Sequence, residues 1–138
     1  VRVRMEQPEP RVALGLALRG VASAAIDVSD GLAGDIGHVL ARSGVGATLR
    51  LGDLPCSADL ATVPADLRRE CLAAGGDDYE LLFTAPPAHA TQVRDAAASA
   101  QCGATCIGRI DAAPGLRLLD EQGRPIERPP GGFDHFKA

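Results

Sequence analysis

The spacing of apolar and polar positions changes period several times along the chain. Ala24-Ala25-Ile26 opens an apolar run that ends in Asp27-Val28-Ser29-Asp30-Gly31, and Leu32, Ile36 and Leu40 then recur at i, i+4 and i+8. This predicts a strand over Ser23 to Val28 feeding a helix over Gly31 to Ser43 through a tight acidic corner, with Gly44 as the stop. Ahead of it, Pro10 begins a helix-compatible stretch, Arg11 to Arg19, closed by Gly20, with Pro at the start and Gly just past the end. Ala47 to Leu51 reads as a strand, Leu54-Pro55-Cys56-Ser57 as a loop, and Pro64 to Ala74 as a helix ended by Gly75. Tyr79 to Thr84 reads as a strongly apolar strand. Pro86-Pro87 stops it and opens an alanine-rich helix containing Val93 and Ala97. A further strand falls within Cys102 to Ile110, and Leu116 to Leu119 with Arg124 to Glu127 read as a hairpin around Asp120-Glu121-Gln122-Gly123. Helices alternating with strands and a closing hairpin predict an α+β layered domain, a mixed sheet packed with helices. Residues 1–9 read as a linker or interdomain segment and residues 10–138 as one α/β domain.

Composition narrows this picture. The chain has 138 residues, 46% of them hydrophobic, enough for one domain with a sizeable core. Only 3% are aromatic and there is no Trp, so the core is aliphatic. The net charge is -4 without a basic stripe, which argues against nucleic acid. No apolar run approaches the roughly 20 residues needed to span a bilayer, and the N-terminus has no signal-peptide core. Cys56, Cys71, Cys102 and Cys106 form no C-x-x-C pair. Cys71 on a helix face and Cys106 in an apolar strand read as small hydrophobes, and all four as reduced thiols of a cytoplasmic protein.

The candidate chemistry sits in two acidic corners and the tail. Asp27 and Asp30 flank Ser29 at a strand end. Two carboxylates and a hydroxyl suit a hard cation such as magnesium, and a helix N-terminus beside them offers free N–H groups to a phosphate. Alternatively, Asp30 or Ser29 caps the helix, worth about 1 kcal/mol, and Asp27 holds the corner as Asx turns do. One cap needs one carboxylate, and the surplus favours the cation. The second corner is Gly75-Gly76-Asp77-Asp78-Tyr79-Glu80, where two glycines permit close backbone approach and a strand geometry puts Asp78 and Glu80 on one face, Tyr79 on the other. A glycine cap with a solvated turn accounts for it equally well. Gly132-Phe133-Asp134-His135-Phe136 reads as a tail docking its rings on the core, or as an aromatic platform for a flat ligand. His38 reads as exposed and His89 carries no signal. No Walker A sequence, G-x-G-x-x-G motif or serine triad is present.

Taken together, Ala25-Ile26-Asp27-Val28-Ser29-Asp30-Gly31-Leu32 with Asp35 and Gly37-His38, Ser43-Gly44-Val45-Gly46-Ala47, Leu54-Pro55, Gly75-Gly76-Asp77-Asp78-Tyr79-Glu80-Leu81-Leu82-Phe83-Thr84, Cys106-Ile107-Gly108 and the Gly-Phe-Asp-His-Phe tail resemble the C-terminal half of the thiamine-monophosphate kinases, from about Pro10 onward. The resemblance implies the fold of the C-terminal domain of aminoimidazole ribonucleotide synthetase. It implies an ATP- and magnesium-dependent phosphorylation of thiamine monophosphate to thiamine diphosphate. It implies Asp27 and Asp30 as magnesium ligands, Ser29 as an ATP contact, and Asp77 and Phe133 against the thiamine phosphate. Those kinases usually carry Gly-Gly-Glu-Asp where this chain has Asp77, one methylene shorter. Phosphoryl transfer needs positioning and neutralised charge, so no catalytic side chain is assigned. The resemblance further implies a missing N-terminal domain carrying more aspartates, leaves a homodimer of the longer protein open, and makes the isolated chain inactive. Two other readings stand beside it: another ATP-dependent enzyme of that superfamily, or a noncatalytic domain that binds a ligand or a partner chain.

Overall fold

The computed structural model describes residues 6–126. Its elements are α1 (Val12–Ala17), β1 (Ala24–Val28), α2 (Leu32–Ser43), β2 (Gly46–Arg50), α3 (Ala58–Ala61), α4 (Ala65–Ala74), β3 (Glu80–Thr84), α5 (Ala90–Ser99), β4 (Gly108–Asp111) and β5 (Gly115–Leu119), with 3-10 turns at Leu51–Asp53 and Pro87–His89. The strands form two sheets. β1 pairs antiparallel with β3, Ile26 opposite Leu82 and Val28 opposite Glu80. β2 is the centre of a mixed three-stranded sheet, antiparallel to β4 and parallel to β5. The expected mixed sheet with helices on it is present, but β1 and β3 stand apart from it as a separate pair.

The apolar periodicity explains the packing. Leu32, Ile36 and Leu40 of α2 are buried in one cluster with Ala47 and Leu49 of β2, Leu51, Ala73 and Leu118. Each such Leu or Ile contributes about 1.5–3 kcal/mol of burial. α2 stops at Gly44, left-handed at φ 66°, whose N–H bonds to Leu40 O. A second cluster joins Leu14 and Leu18 to Ala96 and Ala97 of α5. β3 lies between the two. Leu82 packs against the first cluster and Leu81 and Phe83 against the second, because neighbouring side chains leave a strand on opposite faces. That explains the unbroken apolar run in this segment.

Several boundaries differ from expectation. The first helix is shorter than Arg11 to Arg19. α3 was not foreseen; Ser57 caps it, its Oγ accepting from Leu60 N–H at 3.1 Å. Cys106 lies ahead of β4 and is exposed, as is Cys71, so neither is a buried small hydrophobe; all four cysteines are free thiols. Among the described residues the closing hairpin is short: Gly123 N–H to Asp120 O at 3.0 Å closes the turn, Asp120 N–H to Arg124 O and Ile126 N–H to Leu118 O, both at 2.9 Å, pair its arms, and Leu119 bridges to Pro125. His38 is exposed, while His89 Nδ1 lies 3.0 Å from Val21 O and ties the start of α5 to the turn between α1 and β1. No helix among the described residues is long and apolar enough to cross a membrane.

Candidate active site

β1 delivers Asp27, which is exposed, and ends at buried Val28. The chain then turns through Ser29, Asp30 and Gly31 into α2. Gly31 occupies the cap position, and no side chain caps the helix there. The capping alternative for Ser29 and Asp30 is therefore not what the structure adopts. Asp35, buried in the first turn of α2, holds the corner from within: its Oδ2 accepts the N–H of Ser29 at 2.9 Å and of Asp30 at 3.2 Å. Hydrogen bonds to a charged acceptor are stronger than neutral ones. This role was missed in the sequence; the signal available was an acidic residue directly beside the apolar Leu32/Ile36/Leu40 stripe.

The second acidic corner lies against the first. Asp77 N–H donates to Ser29 O at 2.9 Å and Tyr79 N–H to Val28 O at 2.8 Å. The junction needs glycine on both sides. A Cβ on Gly31, whose φ is 105°, would stand 2.8 Å from Ala74 O, and one on Gly76 would stand 2.7 Å from Ser29 O. Two residues without that freedom, Asp77 at φ 64° and Tyr79 at φ 50°, are also left-handed. Such backbone costs on the order of 1–3 kcal/mol per residue and survives only where its surroundings fix it.

The left-handed backbone ends the strand at Glu80, so the alternation expected from Tyr79 onward does not reach Asp78. Glu80 does not share a strand face with it. Instead the Glu80 carboxylate takes a two-point bond from Arg11, Nε to Oε2 at 2.9 Å and Nη2 to Oε1 at 2.8 Å. That bond raises the Arg11 guanidinium above its ordinary range. Glu80 thus serves the fold. Tyr79 Oη donates to Asp77 Oδ1 at 3.1 Å. That bond, then the Asp77 charge, slight burial and the charges of Asp27 and Asp30 raise the phenol's pKa.

The structure therefore brings Asp27, Ser29, Asp30 and Asp77 to one end of the β1–β3 pair. Phe133 and the rest of the Gly-Phe-Asp-His-Phe tail lie outside the described residues. Among the described residues no group of three or more His, Cys, Asp or Glu side chains converges on a point that could hold a metal. The oxygen-only donors Asp27 and Asp30 still fit magnesium, which is commonly bound by one or two carboxylates and completed by water and substrate phosphates. A shallow groove lined by Ala24, Ala25, Ile26, His38, Val39, Arg42 and Ser43 lies at the opposite end of β1, away from the acidic corners.

Against known proteins, residues 1–121 match the family model for AIR synthase related protein, C-terminal domain. The thiamine-monophosphate kinase of Haemophilus influenzae is 40% identical over 136 residues, covering 95% of this chain and 41% of that protein. That of Escherichia coli K12 is 39% identical over 133 residues, covering 94% and 40%. The crystal structure of thiamine-monophosphate kinase from Stenotrophomonas maltophilia K279a superposes with a TM-score of 0.81 at 43% identity, over 91% of this chain and 39% of that one. AaThiL complexed with AMPPCP and TMP does so at 0.72 and 29%, over 98% and 40%. PurL of T. maritima, at 17% identity and a TM-score of 0.61, shares the fold. The chain spans about two fifths of the length of the curated relatives it matches.

Proposed function

The chain belongs to the AIR synthase related proteins, of whose C-terminal domain it has the fold, and on that premise we propose that it is the C-terminal part of a thiamine-monophosphate kinase, transferring a phosphoryl group from ATP to thiamine monophosphate. The junction of the two acidic corners carries this reading: backbone bonds from Asp77 and Tyr79 to Ser29 and Val28 hold one corner against the other. A phosphoryl-transfer site must bring a nucleotide phosphate and a second phosphate together with their charge neutralised. In this reading Asp27 and Asp30 would hold magnesium, Ser29 would contact the nucleotide, and Asp77 and Phe133 would face the thiamine phosphate. Magnesium, when bound, neutralises phosphate charge and orients the transferring group.

The chain's own residues supply position. Asp35 keeps the Ser29 and Asp30 backbone rigid, so the carboxylate of Asp30 leaves a fixed corner and not a mobile loop. Asp77 carries negative charge suited to the cationic thiazolium of thiamine. The four free thiols agree with a reducing, cytoplasmic setting. No complete metal cluster forms among the described residues, and in this reading an N-terminal domain completes it.

The test compares thiamine diphosphate formation by the full-length protein and by this chain alone, each with ATP and magnesium. The full-length protein is expected to turn over at an ordinary enzymatic rate, about 1 per second or more. This chain is expected to fold and remain silent. Ordinary turnover by the chain alone would refute the divided site, and a silent full-length protein would refute the kinase.

A further inference from the structure

We propose that Tyr79 is a positioning residue that aims the Asp77 carboxylate at the substrate, an inference that rests on the substrate-facing reading of Asp77. Tyr79 Oη donates to Asp77 Oδ1 at 3.1 Å. The backbone at both ends of that bond is left-handed, at φ 64° and 50°. For a bulky aromatic residue this is an outlier. A turn whose only task is to start β3 requires no such conformation at a tyrosine. Nor is the strain offset by packing of the ring: Tyr79 is 39% exposed and belongs to neither apolar cluster. Two backbone bonds to β1 maintain the conformation, Asp77 N–H to Ser29 O and Tyr79 N–H to Val28 O. What the arrangement accomplishes is a phenol donor fixed relative to the corner and a carboxylate fixed by that donor. A phenol is protonated at neutral pH and so able to donate, and the bond to Asp77 raises its pKa further.

Tyr79→Phe keeps the ring and removes only the donor. In the full-length protein it should raise the KM for thiamine monophosphate about 3- to 10-fold, the factor for losing one hydrogen bond at an exposed site. kcat and the KM for ATP should stay in place, and so should the Tm of this chain. Because Tyr79 acts through Asp77, the double variant Tyr79→Phe/Asp77→Asn should be no worse than Asp77→Asn alone. If Asp77→Asn raises the KM and Tyr79→Phe does not, this inference fails while the substrate reading of Asp77 survives. If Asp77→Asn itself leaves the KM unmoved, the substrate reading fails and takes this inference with it. Additive effects would make Tyr79 a direct substrate contact. Equal losses for both substrates with a lowered Tm would make it a structural strut. Either result overturns the positioning role.

Discussion

The molecule holds its carboxylates in two different ways at its two sheets. Around the three-stranded sheet they are consumed by partners. Glu121 takes bonds from Arg69 at 2.7 Å and Arg68 at 3.3 Å. Asp120 accepts the N–H of Gln122 and Arg124 and the Arg124 guanidinium. Asp111 accepts from Thr48 and Arg109. All three have pKa values pulled below the ordinary carboxylate range. The leading causes are the Arg69 bond for Glu121, the Arg124 N–H for Asp120 and the Thr48 hydroxyl for Asp111. At the β1–β3 end two carboxylates are committed in the same way, Glu80 to Arg11 and Asp35 to the Ser29 and Asp30 N–H groups, and backbone does the rest. Main-chain bonds and two close-approach glycines build the junction, Asp35 alone among the aspartates is buried in it, and no ion pair among the described residues reaches Asp27 or Asp77. The first arrangement spends charge on holding the fold together. The second commits Glu80 and Asp35 to the fold and leaves Asp27 and Asp77 without an arginine among the described residues, which is what a site for cations and phosphates requires.

Substitutions can break this contrast. The largest effect is expected at Asp30. Asp30→Asn keeps the size of the side chain and removes its charge, and no cap is lost because Gly31 holds that position. Turnover of the full-length protein should fall at least about 100-fold, since a metal ion contributes several kcal/mol to the transition state. The Tm should hardly move. A large drop in Tm with normal turnover would place Asp30 with the structural carboxylates and dissolve the contrast at its centre.

Asp35→Ala attacks the scaffold and not the site. It strands two backbone N–H groups that a buried carboxylate now satisfies. The expected cost is about 2–4 kcal/mol in a urea melt of this chain. A cost below about 0.5 kcal/mol would mean that the corner holds itself without Asp35.

Glu121→Gln sharpens the other side. The Glu121 side chain is 26% exposed beside two arginines, so the loss at neutral pH should be about 1 kcal/mol, with no change in turnover. Because its folded pKa is depressed, Glu121 stabilises the fold above its unfolded pKa, and that contribution disappears as pH falls through the folded value. Wild-type chain and variant should therefore differ in Tm at neutral pH and converge in acid. Parallel melting curves at all pH values would show that the arginine pairing contributes nothing.

The corner itself was legible because strand and helix periods meet there over a handful of adjacent residues. Asp27, Ser29 and Asp30 are local in sequence, and the surplus of one carboxylate over what a cap needs was visible. Its neighbour was half legible. The glycine pair announces close approach, but the left-handed φ of Asp77 and Tyr79 leaves no mark in residue type, so the apolar pattern starts the strand at Tyr79, one residue ahead of β3, and puts Glu80 on a face with Asp78. The Arg11–Glu80 bond joins residues 69 positions apart, and no local pattern encodes such a pairing. The same holds for the parallel alignment of β2 with β5, which depends on how the intervening helices pack. Thr105-Cys106-Ile107 has the residue types of a strand, yet β4 begins only at Gly108, so Cys106 falls outside it.

The aliphatic core has an optical consequence. The chain contains no Trp and a single Tyr, and that tyrosine stands at the seam of the two corners while the packed interior absorbs almost nothing in the near ultraviolet. A melt followed at tyrosine thus watches the seam open, and one followed at backbone wavelengths watches the helices unwind. The two curves coincide only if seam and interior come apart in one cooperative step.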